Sequence, residues 1–261
     1  MYNEPVIIVF SAFYNVTDQL EKALMKTDNI YRQGQEVVLA IRKLKQAVIR
    51  EYILDHQSRE EAFGEIEQRI AKLERAFLAA HCLGGAPDFL KDEILSYGER
   101  LCSLTMKHVL NSLGFDFNEI LPENIPLLTD GEFENASIDC AENTSAFEKL
   151  LNGSNYIIPG FYGISEKEEI TLFGRGGSDY TAACIACCIQ AKSLDLWKDV
   201  NGFLNIDPEI NSKACNIKSL TYDEASEMAY FGSEILHPRT VEPLREKHIP
   251  VNIYNVKDYA H

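Results

Sequence analysis

The chain has 261 residues, 46% hydrophobic and 25% charged, a globular balance with enough length to bury a sizeable core without disulfide or metal staples. Asp and Glu number 40 against 25 Lys and Arg, a net charge of −15. That excess argues against a sequence-independent binder of nucleic acid or anionic membrane, since both need a basic surface. The apolar stretch Tyr180–Ala191 is shorter than the ~20 residues of a membrane-crossing helix. Met1–Pro5 carries no basic segment of the kind that opens a secretory signal. Seven cysteines, an odd number without a dense framework, read as free thiols in a reducing cytoplasm.

Val6–Ala12 is a continuous apolar run, expected to be a strand buried on both faces as in a parallel sheet, followed by a helix from about Thr17. From Gln35 to Leu83 apolar residues recur at helical spacing in two sets: Val37, Ile41, Leu44, Val48 and Tyr52, then Phe63, Ile66, Ile70, Leu73 and Phe77. With a break near Gln57-Ser58, these predict two long amphipathic helices, ended by Gly84-Gly85 and Pro87. A further helix is expected over about Asp88–Leu113, with a possible break at Tyr97-Gly98. From Phe115 the texture changes. Strand-like runs (Glu119–Leu121, Pro126–Thr129, Tyr156–Pro159, Ile170–Phe173, Leu194–Lys198, Val251–Tyr254) alternate with helices near Ser145–Leu151, Asp179–Ala191, Tyr222–Gly232 and Arg239–Lys247. Such alternation predicts an α/β fold with a mostly parallel sheet, organised as one domain with a helical excursion over about residues 30–113. Thr221 and Glu224 form a capping-box pattern.

Cys184, Cys187 and Cys188 invite a metal or redox reading. Neither a second C-x-x-C nor a nearby His completes four ligands, so the reading taken is packing in a buried helix.

The strongest chemical signal is Gly174-Arg175-Gly176-Gly177-Ser178-Asp179-Tyr180-Thr181, between an apolar strand and an apolar helix. Glycines permit a tight turn and expose backbone amides, and the helix start adds unpaired N–H groups and partial positive charge. Arg175 can grip a carboxylate or phosphate bidentately. The segment reads as an anion site, matching neither the G-x-G-x-x-G nor the G-x-x-x-x-G-K-[ST] pattern. Asn201-Gly202 is a favourable tight turn.

GRGGSDYTAA, then LWKDVNGF, then YDEASEMAYFGSEILHPRTVEPL, resembles the kinase domain of aspartate kinases. So do VIIVFSAFYNVTD, SYGERL, NASID and IIPGFYG, in the same order, over nearly all of residues 5–256. The resemblance implies the amino acid kinase fold, an αβα sandwich around a mostly parallel open sheet. It implies transfer of the γ-phosphoryl of ATP, with Mg2+, to the side-chain carboxylate of L-aspartate, the first step toward lysine, threonine and methionine. Catalysis of this kind is positioning and charge neutralisation. Carried over by motif, Ser11, Thr17, Glu99, Phe161, Arg175 and Ser178 would bind aspartate, with Arg175 on a carboxylate and Glu99 on the ammonium. Asp179 would be catalytic, orienting the transfer region or helping to organise magnesium. Gly176, Gly177, Lys198, Asp199, Leu204 and Asp207 would serve ATP, and no dedicated protein metal site is expected. His237-Pro238 reads as a helix boundary. A homodimer is the family's usual state.

The resemblance also sets expectations by what does not match. The family opens with a strand ending in Lys-Phe-Gly-Gly-Thr-Ser, and nothing in these 261 residues matches it; Gly84-Gly85 lacks the lysine. In the family that lysine lies against the transferring phosphoryl. Loss of one such donor costs ~10²–10³-fold in rate, and loss of the strand would open a sheet edge. Leu204, Glu209 and Glu234 stand where many relatives have Tyr, Arg and Lys; the Leu204 variant also occurs in other relatives, whereas two Glu in place of cations near a polyphosphate would weaken nucleotide binding. The ACT regulatory domains of many relatives are not expected within this sequence. A catalytic domain, and a non-catalytic or truncated relative that binds aspartate or a partner chain, both remain open on sequence.

Overall fold

A computed structural model describes residues 4–25, 29–125, 127–148, 152–200, 202–206, 214–230 and 235–258. Asp207, Glu209, Glu234, Asn201 and Gly232 lie outside them. Strand β1 (Ile7–Phe10) leads through a short turn into α1 (Val16–Leu24), followed by α2 (Ile30–Tyr52), α3 (His56–Cys82) and α4 (Asp88–Ser112). Ile66, Ile70, Leu73 and Phe77 of α3 are at most 2% exposed, as their spacing requires, but of the α2 set only Ile41 is fully buried: Val37, Leu44 and Val48 are half-buried and Tyr52 is exposed, because the helix turns Val38, Ile41, Lys45 and Ile49 inward. Burying each such side chain contributes about 1.5–3 kcal/mol. The break between the two helices falls at Ile53–Asp55, where the Asp55 carboxylate accepts the Ser58 N–H at 2.8 Å. Arg42 ties α2 to Glu67 and Glu74 of α3 at 2.9 and 3.0 Å.

The expected break in α4 is absent, and the helix runs through Gly98. Glycine is needed there for another reason. A Cβ at Gly98 would lie 2.9 Å from the Ala12 Cβ and 3.0 Å from the Thr17 hydroxyl. The residue admits the β1–α1 turn against the middle of α4.

After α4 come β2 (Phe117–Glu119), α5 (Cys140–Glu148), β3 (Asn155–Pro159), β4 (Tyr162–Ile164), β5 (Ile170–Leu172), α6 (Gly177–Cys188), β6 (Leu194–Lys198), α7 (Tyr222–Tyr230), α8 (Pro238–Lys247) and β7 (Val251–Asn255). Strands β1, β3 and β2 form a parallel sheet in that order, β6 and β7 pair in parallel, and β4–β5 is an antiparallel pair. Tyr156 and Ile158 of β3, with Ile7 and Val9 of β1, pack into the cluster built on α5 and α6. Alternation turns the intervening residues to the opposite face, where α4 lies against β1, β2 and β3. Helices thus cover both faces of parallel strands, the predicted α/β arrangement.

Four expectations are corrected. Strand β1 is half-buried, not buried on both sides, because it stands at the end of its sheet. Residues Leu128 and Thr129 make isolated bridges to Ile164 and Ile138, not a strand, and Pro126 is outside the described residues. The strand expected at Glu119–Leu121 sits two residues earlier, at Phe117–Glu119. Helix α5 begins at Cys140, five residues before Ser145, because the Asp139 carboxylate accepts the Ala141 N–H at 2.8 Å and caps it. The capping box is borne out, with Thr221 N–H on the Glu224 carboxylate at 2.7 Å.

Candidate active site

Five segments of the chain converge on a cavity of about 700 Å3. The β1–α1 turn contributes Ser11 and Thr17, the middle of α4 contributes Glu99, and the β3–β4 junction contributes Phe161. The β5–α6 turn contributes Arg175, Gly176, Gly177, Ser178 and Asp179, and the end of β6 contributes Lys198. Every residue expected to bind aspartate therefore borders one space. So do three of the residues expected to serve ATP, Gly176, Gly177 and Lys198. Asp199 and Leu204 do not line it. Asp199 is exposed, and Leu204 bridges Asn216 in the following loop.

The β5–α6 turn is shaped by positive backbone angles. Gly174 and Gly176 have φ of +71° and +72°, and a Cβ at Gly176 would press the His237 side chain at 2.9 Å. His237 is the helix boundary expected, its ring nitrogen accepting the Arg239 N–H at 3.4 Å. Tyr180 N–H closes the first turn of α6 onto the Gly176 carbonyl at 3.0 Å. Helix geometry then leaves Ser178 and Asp179 N–H without an intrahelical acceptor, so the helix start suits an anion. Phe161 holds a left-handed φ of 76°, costly for an aromatic residue. Its N–H donates to the Thr181 hydroxyl at 3.0 Å and its carbonyl accepts from Phe173 at 2.9 Å, which fix it beside the turn.

Lys198 places its ammonium 2.6 Å from the Asp179 carboxylate. Its carbonyl accepts the Val256 N–H at 2.8 Å, just beyond β7.

Glu99 is 4% exposed. One carboxylate oxygen accepts the Ala12 N–H at 3.1 Å, and the other is buried without a hydrogen-bond partner. Burial pushes its pKa up to about 8, opposed by the backbone N–H contacts and the charge of Lys45. Lys45 is 1% exposed, its ammonium 3.6 Å from the centre of the Phe13 ring and without a hydrogen-bond partner. Burial pushes its pKa down to about 7.

Sequence reasoning missed Lys45, Asp92 and Arg239. Asp92 is fully buried and accepts the N–H groups of Glu134 and Leu172, each at 2.9 Å, which holds the loop carrying Glu134 and strand β5 onto α4. Glu134 pairs in turn with Lys91 at the rim. Arg239 donates to the Phe173 carbonyl at 3.0 Å and to Asn135 at 2.8 Å, and lies 4.6 Å from the Tyr180 ring centre. It clamps the strand end that launches the glycine turn. These three sit in helices whose apolar periodicity says nothing of a polar member. The one available signal was an ionisable residue at a core position.

The match to the amino acid kinase family model spans residues 2–255. The chain belongs to the amino acid kinase family. Within it, the relatives are aspartokinases. It is 30% identical to the bifunctional aspartokinase/homoserine dehydrogenase of Buchnera aphidicola over 98% of this chain and 32% of that protein. It is 33% identical to the lysine-sensitive aspartokinase 3 of Escherichia coli over 84% of this chain and 48% of that one. The crystal structure of E. coli aspartokinase III in complex with aspartate and ADP superposes with a TM-score of 0.85 at 30% identity, covering 97% of this chain and 56% of that chain. The chain thus spans between about a fifth and a half of the curated relatives it matches. Among the described residues, no helix is long and apolar enough to cross a membrane.

Proposed function

We propose that this chain is the kinase region of an aspartate kinase, phosphorylating the side-chain carboxylate of L-aspartate with ATP to give 4-phospho-L-aspartate. The observation that carries the reading is the meeting of Ser11, Thr17, Glu99, Phe161, Arg175 and Ser178 around one cavity floored by a helix start. An amino acid needs opposite charges at its two ends. Arg175 supplies a cation for its α-carboxylate and Glu99 an anion for its ammonium. The side-chain carboxylate is then the group left free as acceptor. Its oxygen attacks the γ-phosphorus, the new O–P bond forms, the bond to the β–γ bridging oxygen breaks, and ADP leaves. The α6 amides and Lys198 neutralise charge at the transferring group, with Lys198 standing where a preorganised cation is needed.

Magnesium keeps several waters and takes one or two protein carboxylates together with substrate phosphates. The described residues hold no cluster of three ligating side chains, and Asp179 provides one carboxylate. They fit an ion carried in on the nucleotide, where it would offset phosphate charge. Chains associate as homodimers in this reading, because the outer edge of β1 has no strand partner among the described residues, an arrangement that favours association. Sedimentation at micromolar concentration showing only the monomer would remove that part.

The test is hydroxamate trapping of acyl phosphate with ATP, magnesium and L-aspartate, together with aspartate calorimetry. Turnover is expected, and Arg175→Ala should weaken aspartate binding by about 1.5–3 kcal/mol. Unchanged aspartate affinity in Arg175→Ala, or aspartate binding without any acyl phosphate, would defeat the reading.

A further inference from the structure

A second cavity, of about 850 Å3, shares no lining residue with the first. It lies between the start of α5, the outer side of α6 and the face of α8. Cys140, the first residue of α5, is half-buried at its wall, beside Cys184 and Cys187 of α6. Cys188 lies just beneath, its thiol donating to the Cys140 carbonyl at 3.4 Å, and the Cys140 thiol donates to the Cys184 carbonyl at 3.9 Å. The packing reading of the three α6 cysteines holds for their burial. It lacked the fourth sulfur, which α5 brings from more than forty residues away.

The four thiols are not equivalent. The neighbouring thiols of Cys184, Cys188 and Cys187 and the charge of Lys247 lower the Cys140 thiol from its usual value, against the opposing effect of burial. Burial and the neighbouring Cys140 sulfur raise Cys184 and Cys187, and the same sulfur with burial raises Cys188. Cys140 also stands at a helix N-terminus, where a thiolate is favoured. The group is not arranged for a metal, since no three His, Cys, Asp or Glu of the described residues are placed to hold one. The cavity lining carries seven carboxylates, among them Asp139, Glu142, Glu242 and Glu246, against Lys167 and Lys247, a field that admits a small neutral reagent and repels anions.

We propose that Cys140 is a peroxide-reactive thiol that an α6 cysteine resolves to a disulfide joining α5 to α6. The Cys140 thiolate attacks one peroxide oxygen. The S–O bond forms, the O–O bond breaks, and the departing hydroxide takes a proton to become water. A thiol of α6 then attacks the sulfenic sulfur, the S–S bond forms, the S–O bond breaks, and a second water leaves. Two thiols lose two electrons and one hydrogen peroxide becomes two waters.

The sequence makes the product easy to read. Trypsin leaves Cys140 alone on the peptide 108–149 and Cys184, Cys187 and Cys188 together on 176–192. One equivalent of hydrogen peroxide at pH 7, followed by blocking and non-reducing digestion, should yield these two peptides linked, with the loss of two thiols per chain. Oxidised glutathione, an anion, should modify Cys140 at least tenfold more slowly than it modifies the exposed Cys82 and Cys215. Cys140→Ser should abolish the linked pair. Absence of the linkage in the wild-type protein would overturn the proposal. So would oxidation of Cys82 and Cys215 by peroxide ahead of Cys140.

Discussion

In the proposed reading the ammonium of aspartate meets Glu99, whose carboxyl pKa burial raises to about 8, and binding is then a proton-coupled event. With a pKa of about 8, roughly a tenth of the free sites carry the carboxylate at pH 7. An ammonium ligand needs the ionised form. Binding at pH 7 therefore costs about 1.4 kcal/mol in deprotonation and releases about 0.9 proton per aspartate. The sign follows from burial, which raises the carboxyl: the free protein holds the proton, the complex expels it, and affinity rises with pH. Between pH 6 and 8 the ionised fraction grows about 50-fold, and the aspartate association constant should follow. Calorimetry in buffers of different ionisation enthalpy reads the proton release directly. Glu99→Gln, which keeps an acceptor for Ala12 N–H, should abolish both the release and the pH dependence. An affinity flat from pH 6 to 8 in the wild type, or equal proton release in Glu99→Gln, would refute the assignment.

Lys198→Ala should leave aspartate affinity within about twofold and lower turnover by ~10²–10³-fold, the usual effect of removing one charge-stabilising donor; steady-state hydroxamate kinetics separate the two. Asp92 is fully buried and burial holds its carboxyl up, to about 6 from an ordinary 3.8. The folded state therefore binds the proton more tightly than the unfolded chain, and stability is lost as pH rises between those values. Relative to Asp92→Asn, the wild type should lose up to about 3 kcal/mol between pH 3.5 and 7, read from urea denaturation at each pH; parallel curves for the two proteins would contradict it.

The glycine turn and its neighbours were legible because their chemistry is written locally: strand, glycines, arginine, helix start. Ser11, Thr17 and Glu99 were legible only through the order of motifs, since a helix glutamate or a turn serine alone has bland explanations. Lys45 was not legible at all. It falls within the apolar spacing of α2, and only the fold turns that position onto Phe13 and toward Glu99. The half-burial of β1 escaped for a similar reason. An apolar run reports affinity for a core, but a strand's place in the sheet depends on pairings made elsewhere, here, among the described residues, with β3 alone. Cys140 was passed over because its partners lie on another helix, and spacing arithmetic sees only one segment at a time.

The hydrogen bond from Val256 N–H to the Lys198 carbonyl gives the cavity a lever. Residue 256 follows the last strand, β7 is zipped along the whole of β6, and the Lys198 ammonium rests on Asp179 at the head of α6. The backbone beyond β7 is thus linked to that ion pair through one hydrogen bond and one side chain. A tug of a fraction of an ångström there is the size of motion that separates an aligned phosphoryl acceptor from a misaligned one. The chain just beyond β7 is thus one hydrogen bond from Lys198 and, in the proposed reading, that close to the transferring group.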